Sequence, residues 1–143
     1  MKRNYLILTL LTIVFIYNSC EELINNELTS SEIAQKLEGQ WQCNEQSSQF
    51  KSTDDYYSVY ITLSETDSTK VFISNIYQLG NEIEAYAKID KQTITIPRQI
   101  VDGYTINGSG TISSNLREIT WQQYVDDGSG IIDEIDAVYT FQY

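Results

Sequence analysis

Apolar and polar residues alternate along most of this chain, which is the pattern of half-buried β-strands. The clearest stretch is 57–64, where Tyr57, Val59, Ile61 and Leu63 share one face and polar residues dominate the other. With a strand that begins near Trp41, the pattern predicts about eight strands. The alternation recurs at 71–73, 83–89, 94–96, 104–112, 119–123 and 137–141.

Short segments that favour tight turns separate these strands, among them Gly80-Asn81, Asp102-Gly103 and 126–130. Sequential strands joined by short loops pair as antiparallel neighbours, so an up-and-down order is expected. Closure into a barrel buries the apolar face and removes the free sheet edges together. The sequence therefore predicts an all-β fold, an eight-stranded antiparallel up-and-down barrel.

A short helix is predicted ahead of the strands. Ser30 and Ser31 offer an N-cap, and Gly39 can end the helix. We expect the barrel domain to span 30–143 and residues 20–29 to form a tether without a packing pattern. The apolar face of the helix consists of Ile33, Ala34 and Leu37.

The N-terminus has the pattern of an export signal. Lys2 and Arg3 precede an apolar run over 5–17, which is too short to span a bilayer comfortably. The next residues resemble the lipobox of bacterial lipoproteins, since Ser19 and Cys20 match it, although Tyr17 and Asn18 depart from the common pattern.

This resemblance implies a signal peptide at 1–19, lipidation of Cys20 and attachment to the outer membrane of a Gram-negative cell envelope. Glu21 and Glu22 resemble the acidic tag that sends some such lipoproteins to the cell surface. The alternative is an ordinary secretory signal cleaved nearby, which would leave Cys20 as a simple thiol.

Composition narrows the possible partners. The 143 residues fit a signal and one domain, and the net charge of −11 disfavours nucleic acid and bare anionic membranes as partners. If Cys20 carries lipid, Cys43 is unpaired and is expected to be a small buried side chain. The rival is a disulfide between Cys20 and Cys43 in an unlipidated, secreted chain.

The start of the first strand resembles the Gly-x-Trp motif of the lipocalins. Gly39-Gln40-Trp41 follows a short helix, as the motif does in that family. The resemblance implies an eight-stranded barrel with the tryptophan at its closed end. Lipocalins also place an arginine near the last strand, whereas here Arg117 lies one strand earlier. A core tryptophan in another barrel or sandwich is the alternative.

The inward set leaves open whether the barrel is hollow or filled. Small residues in mid-strand could leave room for a ligand, or they could accommodate large side chains from across the interior. For a hollow barrel we predict ligand contacts from Val59, Ile61, Ala85, Ala87 and Tyr104.

Tyrosines outside the inward set admit two interpretations. They could bind sugars or proteins at a barrel mouth, or they could be ordinary residues of a solvated sheet. The residues concerned are Tyr56, Tyr60, Tyr77 and Tyr124.

Catalysis is not expected. The chain has no histidine, which excludes histidine-dependent nucleophilic catalysis and histidine-bound zinc. Carboxylates remain formally available for glycoside hydrolysis, and the 126–134 loop has oxygen ligands suited to calcium without EF-hand spacing. We predict that these carboxylates lie in solvated turns and that the protein uses no metal and no cofactor. They are Asp54, Asp55, Asp126, Asp127, Asp133 and Glu134.

The sequence thus predicts a lipid-anchored, non-enzymatic binding module of the cell envelope. In the first hypothesis it captures a small apolar or sugar ligand in the barrel. In the second it has a filled core and binds an envelope protein or a basic enzyme through its acidic outer surface.

Overall fold

The computed structural model describes residues 27–49 and 55–143. The predicted signal peptide, Cys20, Asp54 and most of the predicted tether lie outside the described residues. The elements, in chain order, are helix α1 (Ser30–Leu37), β1 (Gly39–Ser47), β2 (Asp55–Leu63), β3 (Lys70–Ser74), a short 3-10 helix (Ile76–Gln78), β4 (Glu84–Asp90), β5 (Thr93–Val101), β6 (Tyr104–Ile112), β7 (Glu118–Asp126) and β8 (Ile132–Phe141).

The eight strands form a closed antiparallel barrel. Each strand pairs with the next one along the chain, and β1 pairs with β8 from Trp41–Phe141 to Ser47–Ile135. The predicted all-β, eight-stranded antiparallel barrel with a short N-terminal helix is confirmed. Closure leaves no free sheet edge among these strands.

The seam between β4 and β5 is paired only near one end, from Lys88–Thr95 to Asp90–Thr93. The register of β5 against β6 shifts between Ile96 and Gln99. Beyond the paired stretch the side-chain amide of Gln99 takes the place of a strand backbone, because it accepts from Tyr86 N at 3.0 Å and donates to Tyr86 O at 2.8 Å. This side chain satisfies backbone groups that the missing pairs would leave open.

Large side chains occupy the barrel interior. Trp41, Trp121 and Tyr139 are almost completely buried, along with isoleucines from most strands. A Cβ added at Gly110 would lie 2.9 Å from the Trp121 ring. The glycine therefore makes room for a tryptophan from the neighbouring strand, which is the filled-core alternative for this position.

Helix α1 covers one end of the barrel, which we call the closed end. Its N-cap is Thr29, not Ser30 or Ser31, because Thr29 forms a reciprocal capping box with Glu32. Gly39 does not end the helix but begins β1, with φ of 141°. Trp41 Nε1 donates to Leu37 O at 2.9 Å, so the first strand is tied to the end of the helix.

Aromatic contacts complete the closed end. The edge of Phe141 meets Trp41 with ring centroids 5.1 Å apart. Arg117 lies over Phe141 and Tyr143, 4.7 Å from each ring centroid. The arginine thus stacks on the last strand and on a ring that itself contacts Trp41.

Candidate functional site at the open end of the barrel

A cleft of about 300 Å³ lies at the end of the barrel opposite α1, which we call the open end. The C-terminal ends of β1, β3, β5 and β7 lie at this end. The cleft combines two tyrosines, two carboxylates and two aliphatic side chains. It is lined by Gln49, Tyr77, Tyr104, Val125, Asp127, Ser129, Ile131 and Asp133.

The connection from β3 to β4 folds across this end. Asn75 Nδ2 donates to Ser58 O at 2.8 Å, and the adjacent Ile76 is fully buried. Left-handed backbone at Asn75, Tyr77 and Gln78, with φ of 61°, 52° and 56°, turns the chain sharply. An aromatic residue rarely adopts this conformation, which costs on the order of 1–3 kcal/mol and persists only where the surroundings fix it.

Tyr77 is fixed by two contacts, one at its hydroxyl and one at its ring. Its hydroxyl donates to Asp133 Oδ2 at 3.0 Å, and its ring meets Tyr104 edge-on with centroids 5.9 Å apart. Burial, followed by the hydrogen bond to Asp133, raises the pKa of Tyr77 above its ordinary value. The phenol therefore stays protonated at neutral pH and acts as a hydrogen-bond donor to the carboxylate.

Asp133 is the buried carboxylate of the cleft, with only 4% of its surface exposed. Besides Tyr77, Ser47 Oγ lies 2.7 Å from both carboxylate oxygens, while Ser48 Oγ and Gln49 N donate to Oδ1 at 3.1 Å. A carboxylate offers about four lone-pair sites, so these donors fill its capacity. All four donors are neutral, so they form hydrogen bonds with the carboxylate but do not neutralise its negative charge.

A polar layer lies inside the barrel between the cleft and Trp41. Tyr57 donates its hydroxyl hydrogen to Glu45, and Gln123 Nε2 lies 3.4 Å from Tyr139 Oη. Cys43, a free and fully buried thiol, lies beside both tyrosines. We call these five residues the polar layer.

Burial keeps the thiol and the two phenols of the polar layer protonated. It raises the pKa of Cys43 from 9.0 to about 12. Burial also raises the pKa of Tyr57 and Tyr139 well above the ordinary value, and the neighbouring ionisable groups add to this. A thiol of this kind is a poor nucleophile, because the thiolate is the reactive form. Cys43 is a packing residue here.

The rim of the cleft consists of the loop between β7 and β8. Asp126 accepts from Gly128 N at 2.8 Å and Asp127 accepts from Ser129 N at 2.9 Å, so both carboxylates stabilise the turn. In the described part of the chain, no three acidic or cysteine side chains are grouped in a way that could hold a metal ion. The loop is therefore explained by its own turn chemistry.

The structure divides the five residues predicted to bind a ligand into two groups. Tyr104 lines the cleft. Val59, Ile61, Ala85 and Ala87 are buried in the wall formed by β2 to β4, where Ile61 faces Ile73 and Ile73 faces Ala85. The role of these four in ligand binding stays a prediction.

The prediction that the carboxylates all lie in solvated turns was wrong for Asp133, which is a buried residue of β8. It was also wrong in placing Asp55, Asp126 and Glu134 in turns, because they belong to β2, β7 and β8. Strand alternation contains the missed signal, since Asp133 shares the inward face with Ile135, Ala137 and Tyr139. In β1 the same reasoning places Glu45 on the inward face with Trp41 and Cys43. Tyr77 lies in a loop and has no such signal.

No protein-family model and no curated protein sequence matches this chain. Within residues 27–49 and 55–143 the structure contains no helix with the length and hydrophobicity of a membrane span.

Proposed function

We propose that this protein is a non-enzymatic binding module that captures a small ligand in the cleft at the open end of its barrel. The observation that carries the proposal is the cleft of about 300 Å³, a size at the lower end of the usual range for small-molecule sites. Aliphatic and aromatic walls with a few fixed polar groups are also typical of such sites. This moves the predicted ligand from the centre of the barrel to its mouth.

The chemistry of the cleft favours binding over catalysis. Asp133 already accepts hydrogen bonds from Ser47, Ser48, Gln49 and Tyr77, which leaves it a poor candidate for a general base. The other lining carboxylate, Asp127, is exposed and engaged in a turn. The chain contains no histidine that could act with either of them.

We further propose that the barrel is of the up-and-down, lipocalin-like type. The helix followed by Gly39-Gln40-Trp41 supports this, as does the position of Trp41 against the end of that helix. Arg117 supports the proposal less directly, because it stacks on Phe141 and not on Trp41.

The proposed location is the outer membrane of a Gram-negative cell, with a lipid anchor on Cys20 and the domain at the cell surface. Support comes from the lipobox-like residues Ser19 and Cys20 and the acidic pair Glu21 and Glu22. A Cys20→Ser variant should appear in the soluble envelope fraction, while the wild-type chain should need detergent. If the variant still needs detergent, the proposal of a lipid anchor on Cys20 is wrong.

Ligand capture can be tested by nuclear magnetic resonance on the full-length chain in a nonionic detergent without a sugar headgroup. A panel of small sugars, amines and short apolar alcohols is titrated while the backbone amides are followed. Binding at the cleft should shift the amides of Asp127, Ser129 and Ile131 and leave those near Lys91, at the closed end, unchanged. A panel that shifts no cleft amide would contradict the proposal.

A second candidate is binding of a protein through the outer surface, as a subunit of a surface complex or as an inhibitor of a basic enzyme. The filled interior favours it, as do exposed apolar side chains such as Tyr56 and Ile100, which are 58% and 78% exposed. With a net charge of −11, association with a cationic enzyme should weaken steeply with salt. Salt-independent association would argue against this role.

A further inference from the structure

The charge of Asp133 has no counter-ion in the described structure. The ion pair among the described residues is Lys91 with Glu27, at 3.9 Å near the closed end. Of the described residues that line the cleft, none is basic. A buried carboxylate that is hydrogen-bonded only by neutral groups still projects its negative potential into the space beside it. The described walls of the cleft therefore disfavour anions and attract cations.

The same carboxylate has little capacity left for a new hydrogen bond. Its two oxygens accept from Ser47, Ser48, Gln49 and Tyr77, which fills the available lone-pair sites. A primary ammonium group would have to displace one of these donors to be satisfied. A quaternary ammonium group carries the charge but has no N–H, so it can use the potential of Asp133 without breaking a bond.

The remaining walls suit such a group. Tyr77 and Tyr104 both line the cleft, and their rings meet at 64° with centroids 5.9 Å apart. A ring face attracts a cation within about 6 Å of its centroid. Val125 and Ile131 add apolar surface that methyl groups can contact. Aromatic rings around a quaternary ammonium are a recurring solution to recognition of this ligand class.

We propose that the cleft selects small organic cations of the quaternary ammonium class, with Tyr77 and Tyr104 contacting the methyl groups and Asp133 supplying the charge. This inference rests on the proposed function, because it names the ligand class of the same site. The carboxylate acts through space, and the rings make the direct contact.

The test compares choline with 3,3-dimethyl-1-butanol, a neutral molecule of nearly the same shape, on the full-length chain in nonionic detergent. Shifts of the Asp127–Ile131 amides give the affinities. Choline should bind about tenfold or more tightly than the neutral alcohol, which corresponds to about 1.4 kcal/mol. Ethanolamine should bind more weakly than choline, because its N–H groups compete with the donors already on Asp133.

Matched variants assign the preference to named side chains. Asp133→Asn should reduce choline binding to the level of the neutral alcohol, whereas Asp136→Asn, on the exposed outer face of β8, should not change it. Tyr104→Leu should weaken choline binding, and Tyr104→Phe, which keeps the ring, should retain it. If Asp133→Asn does not fold, as judged by circular dichroism, the comparison of Tyr104→Leu with Tyr104→Phe tests the proposed choline site.

Different results would overturn the quaternary ammonium preference and the capture of small ligands. Equal binding of choline and the neutral alcohol at the cleft would overturn the quaternary ammonium preference and leave small-ligand capture intact. Absence of choline binding would also overturn the inference. Small-ligand capture itself fails only if the wider panel of sugars, amines and alcohols leaves the cleft amides unshifted.

Discussion

The two ends of this barrel use opposite chemistry. At the closed end, Ile33, Ala34 and Leu37 of α1 are buried in the same apolar core as Trp41. At the open end, Asp133 gathers hydroxyl and amide donors beneath a cleft that water can enter. The difference indicates that the closed end contributes most to stability, whereas the open end holds a preorganised polar site at some cost in stability.

The layers between the two ends make the change in steps. The inward residues of β1 are, in order, Trp41, Cys43, Glu45 and Ser47. The inward side chains therefore become more polar from the closed end toward the cleft. Each side chain of the polar layer has a polar neighbour, as in the bond from Tyr57 to Glu45, whereas the buried Trp121 Nε1 has no hydrogen-bond partner among the described residues. Hydrogen bonds within a buried polar network fix one arrangement of its side chains. We therefore expect the polar layer to hold the adjacent cleft in one conformation.

Alkaline pH should have the largest effect, because three groups of the polar layer have pKa values raised by burial. Burial raises the pKa of Cys43 from 9.0 to about 12, and it raises those of Tyr57 and Tyr139. Above the unfolded-state values the unfolded chain releases protons that the folded chain retains, so stability falls as the pH rises. We expect the free energy of unfolding to decline from pH 9.0 upward and the chain to unfold near pH 12 or below.

Urea unfolding at a series of pH values measures this decline. Cys43→Ala should flatten the profile between 9.0 and about 12, since one of the raised groups is gone. Tyr56→Phe, which changes an exposed tyrosine on the outer face, serves as the matched control and should leave the profile as it was. Stability that stays constant to pH 12 would show that the polar layer is not the alkaline weak point.

Removal of the closed-end tryptophan should have the next largest effect. Trp41→Ala leaves a large cavity under α1 and removes the 2.9 Å bond to Leu37 O, with an expected loss of about 3–5 kcal/mol. Urea unfolding at pH 7 measures it. The control is Ile132→Ala at the open end, where the side chain is 53% exposed and the expected change is within about 0.5 kcal/mol. Similar losses for the two variants would remove the contrast between the ends.

The strands could be predicted from the sequence because alternation with a period of two is forced on any strand with one buried face. The same rule accounts for the inward position of Asp133 and Glu45. A buried carboxylate is not expected, however, unless its hydrogen-bond donors are known, because burying a charge without them is costly. Those donors come from Ser47 and Tyr77, which are distant in sequence. The position of Tyr77 depends on left-handed backbone at an aromatic residue, which no local pattern predicts.

Loss of the open-end carboxylate should cost less than loss of Trp41. Asp133→Ala removes the acceptor of the Ser48 and Tyr77 hydroxyls, at an expected cost of about 1–3 kcal/mol. Water entering the cleft should recover part of the lost bonding. Asp127→Ala, on the exposed rim of the same cleft, is the control and should change stability by less than about 0.5 kcal/mol. A loss above that of Trp41→Ala would reverse the assignment of stability to the closed end.

The smallest effect concerns the cap that starts α1. Thr29→Ala removes the side chain that accepts from Glu32 N and should destabilise the chain by about 1 kcal/mol, while Thr29→Ser keeps the acceptor and should be nearly neutral. Because Trp41 Nε1 is bonded to Leu37 O at the other end of the helix, the cap and the tryptophan hold the same element. In a double-mutant cycle with Trp41→Phe, the two losses should not add. Strict additivity would mean that the helix does not transmit the effect of its cap to the barrel.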